Sequence, residues 1–243
     1  SITFDGKTNY AKIPVSLTDT ANWSAELTFE TTENRSESAI YGQHCLFGYD
    51  TPGYLSRDFH VDVKNGNLYI FNGCGNSKSP FGGTAEYDNF DVGIDTGIKI
   101  NDGEPHTIIV KSIEKQIDIY CDGVLATTVY AENTISNDAM YIGCSQVGER
   151  VYGGLSLYSF KLTKSGKTVA EYNPIAKDAV LKTLTDKSGN GNDATLYGNT
   201  YEYKTVDILF NFLADTARTV EATTAVEADT CRTIAAHLAD FDF

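Results

Sequence analysis

No run of eighteen apolar residues occurs in this chain, so no segment is expected to cross a bilayer as a helix. Positive charge is also short: 19 Lys and Arg stand against 33 Asp and Glu, for a formal net charge of −14. That is the reverse of the basic footprint that follows phosphates, so nucleic acid is excluded as a partner. The opening Ser1-Ile2-Thr3-Phe4-Asp5-Gly6 has neither a basic n-region nor an apolar h-region, so a signal peptide is not expected. CxxC and CxxH spacings are missing too. Cys45, Cys74, Cys121, Cys144 and Cys231 are odd in number and irregularly spaced, which argues against a zinc motif and against a disulfide framework. Up to Tyr203 no long stretch keeps a 3.6-residue period, which leaves little room for helix.

What the chain does have is core material. Apolar residues make up 41% of its 243 positions and charged residues 21%, with 15 Tyr and 12 Phe. Short β-branched and aromatic runs recur, each closed by Gly, Asn or Asp. Ala25, Leu27 and Phe29 alternate with Glu26, Thr28 and Glu30, the pattern of a half-buried strand. Phe59–Val63 and Leu68–Phe71 flank Lys64-Asn65-Gly66-Asn67, the chemistry of a tight hairpin. Thr107–Ile113, Gln116–Cys121 and Val124–Val129 form a second series, and Met140–Cys144 and Leu155–Leu162 follow. Tyr158 and Phe160 are expected on one face of the last of these. The sum is an all-β chain, an antiparallel two-sheet sandwich. Gly73 to Asn101, rich in Gly, Asn and Asp, reads as one long weak region.

Cys121 and Cys144 share the alternation of neighbouring isoleucines, so the cysteines read as free, buried, small hydrophobes. A Cys45–Cys74 bridge is the open alternative. Free thiols fit synthesis in a reducing cytoplasm. From Tyr203 the texture changes. Ala214-Asp215-Thr216-Ala217-Arg218-Thr219 recurs as Ala228-Asp229-Thr230-Cys231-Arg232-Thr233, which marks residues 203–243 as a C-terminal extended appendage. Its apolar residues suit a homo-oligomer or assembly contact with neighbouring subunits.

Five segments over residues 1–200 carry a family resemblance. They are Phe4-Asp5-Gly6-Lys7-Thr8-Asn9-Tyr10, Asn101-Asp102-Gly103-Glu104-Pro105-His106, Ile119-Tyr120-Cys121-Asp122-Gly123-Val124, Tyr141-Ile142-Gly143-Cys144 and Leu157-Tyr158-Ser159-Phe160-Lys161-Leu162. In this order they resemble the laminin G-like branch of the concanavalin A-like jelly rolls. The resemblance implies a jelly-roll domain over residues 1–202. Its flavour is similar to domains of phage tail and bacterial surface proteins, which implies a virion or extracellular location. Asp186-Lys187-Ser188-Gly189-Asn190-Gly191-Asn192 looks like a turn that commonly precedes the family's first strand, displaced here to the end. Closure of the fold would then set Ile2–Phe4 near Thr195–Tyr197.

The family's fold also hosts glycanases, and Glu86-Tyr87-Asp88-Asn89-Phe90-Asp91 is similar to their acidic motif. Flanked by glycines, it reads as a solvated loop, so no catalytic residue is assigned. The resemblance further implies a structural calcium at Asp5 and at a late-strand position that is Ser156 here. With a carboxylate lost there, Asp5 reads as a turn residue and no cofactor is assigned, a structural calcium being the open alternative. His44, His60, His106 and His237 sit in no nucleophile motif. Aromatics and polar groups on loops suit sugars. The candidate glycan contacts are Tyr41, His44, Tyr49, Tyr54 and Arg57 in one region, Asn72 and Asn76 in a second, and Arg150 with Tyr152 in a third. Recognition of a surface glycan is the leading expectation, a purely structural or decoration subunit is the rival, and a glycan hydrolase is a distant third.

Overall fold

The computed structural model describes residues 1–34, 43–49, 57–75, 93–131, 133–145 and 152–204. The repeat-bearing segment, Glu86 to Asp91 and Cys231 lie outside these residues. The chain opens with β1 (Ile2–Asp5), β2 (Tyr10–Ile13), β3 (Trp23–Glu30) and β4 (Gln43–Tyr49). It continues through β5 (Phe59–Lys64), β6 (Asn67–Asn72), β7 (Gly93–Lys99), β8 (His106–Ile113), β9 (Gln116–Cys121) and β10 (Val124–Tyr130). After β11 (Met140–Ile142), β12 (Gly154–Lys164) and β13 (Lys167–Tyr172) comes the short helix α1 (Ala176–Leu181). Strands β14 (Thr183–Leu184), β15 (Ala194–Tyr197) and β16 (Glu202–Tyr203) follow it.

These strands make two antiparallel sheets. One runs β10-β9-β8-β3-β12-β1-β16, with β13 also on β12, and the other runs β14-β15-β2-β11-β4-β5-β6-β7. The alternation that marks each strand in the sequence puts one side of each sheet into a shared core. Leu27, Phe29, Ile108 and Leu157 of the first sheet meet Ile13, Phe47, Val61 and Ile142 of the second there. Phe47 packs edge-on against Phe160, with ring centroids 5.6 Å apart. The hairpin expected around Asn65-Gly66 forms as a two-residue turn, with φ of 53° and 77°, which closes β5 onto β6.

Three expectations change. The weak region holds a strand, β7, whose Ile94, Thr96 and Ile98 are half-buried between more exposed neighbours. Its period of two is clear once the glycines are read as strand residues. Tyr158 and Phe160 do not share a face. The register of β12 on β3 slips between Leu157 and Ser159, so Leu155, Leu157, Phe160 and Leu162 all reach the core. Tyr158 turns outward and its hydroxyl donates to Glu30 at 2.6 Å. Closure occurs, but not through β15. That strand pairs with β2 in the second sheet, while β16 pairs with β1 in the first, Ile2 opposite Tyr203. Cys45, Cys74, Cys121 and Cys144 are all buried, and none of the four is in a disulfide.

Candidate functional site

The outer face of the second sheet is built from the residues the core leaves over. On β2, Ala11 and Ile13 point inward, so Tyr10 points out. On β11 the same logic turns Tyr141 outward between Met140 and Ile142, and on β15 it turns out Tyr197 beside Leu196. Tyr10 and Tyr197 are cross-strand partners, and their rings stack 4.8 Å apart and within 6° of parallel. Tyr141 and Tyr152 each lie 6.2 Å from Tyr10, and Tyr49 stacks on Tyr141 at 6.3 Å. Tyr10 and Tyr141 are buried, whereas Tyr197 is 40% exposed. Burial, reinforced by neighbouring groups, pushes the Tyr10 phenol up to about 12 and raises Tyr141 as well. These hydroxyls therefore stay protonated and can donate hydrogen bonds at any physiological pH.

Along the same face lies a second row. Tyr141 is opposite Gly48, Gly48 opposite His60, and His60 opposite Phe71. The His60 ring stacks on Phe71 at 4.4 Å. Gly48 permits this approach: a Cβ there would sit 2.3 Å from His60 Cβ, and its φ of +149° disfavours any side chain. His60 Nδ1 lies 2.8 and 2.9 Å from the two carboxylate oxygens of Asp62, and Cys45 faces Asp62 directly across the strand pair. All three are buried.

Of the candidate contacts, Tyr49 and Tyr152 come together here, whereas His44, opposite the core residue Val63, lies on the other side of β4. His44 is buried, with Nδ1 3.1 Å from the Tyr152 carbonyl and 4.0 Å from Glu33. Arg57 and Asn72 serve the 130–136 connection. Arg57 donates to the Thr134 carbonyl and hydroxyl, both at 2.8 Å, and pairs with Asp19, while Asn72 donates to the Tyr130 carbonyl at 3.1 Å. Tyr41, Tyr54, Asn76 and Arg150 lie outside the described residues. Tyr10, Tyr141, Tyr197, His60 and Asp62 were not among the candidates. Their outward positions follow from strand alternation, but their assembly depends on cross-strand register.

A groove of about 690 Å³ opens on the first sheet, lined among others by Asp5, Lys7, Glu30, Glu33, Ser156 and Lys204. It tests the calcium expectation. Asp5 Oδ1 accepts the backbone N–H of Lys7, Thr8 and Asn9 at 2.8–2.9 Å, and Oδ2 accepts the Thr8 hydroxyl. Burial opposes the charge on Asp5, yet these bonds together hold its pKa below the ordinary carboxylate value. Ser156 has its hydroxyl 3.4 Å from that of Thr3. A carboxylate already saturated by a turn, with a serine at the second position, does not fit the oxygen cage that calcium requires.

No protein-family description and no curated sequence matches the chain. Solved structures do resemble it. A Bacteroides ovatus protein assigned as carbohydrate-binding aligns at 10% identity with a TM-score of 0.50, over 82% of this chain and 58% of its own. Domains LG4-5 of the mouse laminin α1 chain align at 11% identity and a TM-score of 0.46, over 69% of this chain and 42% of theirs. A heptameric pentraxin of Limulus polyphemus aligns at 16% identity and 0.43, over 66% and 74%. The chain thus spans about half the length of the first two. Its fold is the laminin G-like, concanavalin A-like jelly roll.

Proposed function

We propose that this chain recognises a glycan without catalysing a reaction on it, at the surface of a virion or of an extracellular assembly. The observation that carries the reading is the tyrosine surface. Sugar rings present apolar C–H faces and hydroxyl rims, and they suit aromatic platforms bordered by donors that stay protonated. Tyr197 supplies the open platform, held flat by Tyr10 beneath it, and Tyr152 lies against the same Tyr10. The Bacteroides ovatus protein of the same fold, assigned as carbohydrate-binding, supports the substrate class. The non-catalytic part rests on the acids: Asp5 and Asp186 are tied into turns that depress their pKa values, the opposite of a poised general acid.

A glycan array on the full chain tests the reading. Tyr197→Ala and Tyr152→Ala should each weaken binding about tenfold, the equivalent of ~1.4 kcal/mol, while Glu86→Gln should leave it unchanged. An array with no bound glycan, or binding indifferent to both tyrosines, would sink the proposal.

The rival reading, a structural subunit joined through residues 203–243, is favoured by one feature. Strand β10 is an edge among the described residues, and Val124, Leu125 and Tyr130 on it are more than half exposed. Such an edge can accept an extended strand from a neighbour. Light scattering at micromolar concentration would show oligomers if this is right, and a monomer if not.

A further inference from the structure

We infer that Cys45, His60 and Asp62 form a binding site for one divalent metal ion of the zinc class. Each residue offers one donor atom, and the three donors lie within 4.8 Å of one another. Zinc bonds of about 2.0–2.3 Å in a tetrahedron set donors about 3.5 Å apart, so small side-chain rotations bring this set to coordination distance. The donor types select the ion. A thiolate, an imidazole and a carboxylate match zinc, whereas calcium and magnesium take oxygen alone.

Charge and rigidity support the same ion. Each of the three residues is 2% exposed or less. Thiolate and carboxylate together carry two negative charges that a buried sheet face solvates poorly, and a divalent ion with a neutral imidazole cancels both. Coordination sends the Cys45 thiol proton to solvent. Where Nδ1 is the ligand, the proton it shares with Asp62 leaves as well. Cys45 and Asp62 are fixed opposite each other by the β4–β5 ladder, and His60 lies two residues along the same face. The donors are thus placed by backbone hydrogen bonds, not by a loop that metal must first order.

A second cluster, His106 with Cys121 and Asp122, provides an internal control. There both imidazole nitrogens already face carboxylates, Asp122 at 2.7 Å and Asp102 at 3.1 Å, and Asp122 is exposed.

The test uses the full chain stripped with chelator and titrated with Zn²⁺ or Co²⁺. One equivalent of zinc should bind, and cobalt should add a thiolate-to-metal charge-transfer band. Cys45→Ala should abolish the band, Asp62→Asn should weaken binding tenfold or more, and Cys121→Ala should leave both unchanged. Circular dichroism checks that each variant is folded. Absence of stoichiometric metal on the wild-type chain, a band that survives Cys45→Ala, or a band lost in folded Cys121→Ala overturns the inference. If Cys45→Ala does not fold, cadmium-113 NMR of the wild-type chain decides. A resonance for one sulfur among nitrogen and oxygen donors supports the site, and an all-oxygen or multiple-sulfur signature refutes it.

Discussion

As a neutral ring, His106 can donate to only one of its two neighbours. Nδ1 faces Asp122 at 2.7 Å and Nε2 faces Asp102 at 3.1 Å, and both are carboxylates that only accept. The imidazolium satisfies both. Burial works against the charge, but hydrogen bonds to Asp122 and Asp102 and their charges outweigh it, so the pKa rises above the ordinary 6.5. A raised pKa in the folded state means the stabilisation is complete below the ordinary value and is lost as pH climbs through the raised one. The melting temperature should therefore fall between mildly acidic and mildly alkaline buffer, on the order of 2 °C for contacts this exposed. His106→Gln should remove that part of the slope, and an unchanged slope would refute the assignment. In sequence, His106 stands out only as the end of a segment that carries the family resemblance. Asp102 is close by in the chain, but Asp122 reaches the ring through the pairing of Ile108 with Cys121, which no local pattern encodes.

At the scale of the element, strand β12 shows both what alternation can tell and where it stops. Its apolar residues, Leu155, Leu157, Phe160 and Leu162, identify it as a core strand from sequence alone. The extra residue at Tyr158 does not, because a bulge is set by how β12 meets β3 and not by its own composition. The two aromatics should therefore differ in mutational cost. Phe160→Ala empties a fully buried site against Phe47 and Tyr172 and should cost about 3–5 kcal/mol. Tyr158→Phe removes one hydroxyl bond to Glu30 and should cost about 1 kcal/mol. Urea denaturation measures both, and a cost of only about 1 kcal/mol for Phe160→Ala would contradict its place in the core. Similar limits explain β7, whose glycines masked its period, and the site itself. Tyr49 and Tyr152 were legible as aromatic residues near loops. The outward row of Tyr10, Tyr141 and Tyr197 needed the order of strands β15-β2-β11, which comes from the fold.

At the scale of the whole molecule, Tyr201 bridges the two sheets at one seam. Its ring meets Phe4 of the first sheet edge-on at 5.4 Å, while its hydroxyl donates toward the Tyr10 and Tyr197 carbonyls of the second, at 3.1 and 2.6 Å. Tyr201→Phe leaves the ring but strips those bonds, and should lower stability by about 1–2 kcal/mol. Tyr201→Ala should cost about 3–5 kcal/mol. Both variants should unfold in one transition, since the sheets share a core, and separate transitions for the two sheets would contradict that. The same closure brings the Ser1 amine to the Lys204 carbonyl at 2.9 Å, with Ile2 opposite Tyr203. The geometry has a mechanical side. Tension applied between residue 1 and the chain beyond residue 204 pulls two adjacent antiparallel strands apart from their shared end. The load then falls on their hydrogen bonds one pair at a time, as in a zipper, instead of shearing them together. Pulled from these two points, the domain yields at its edge long before the force reaches its core.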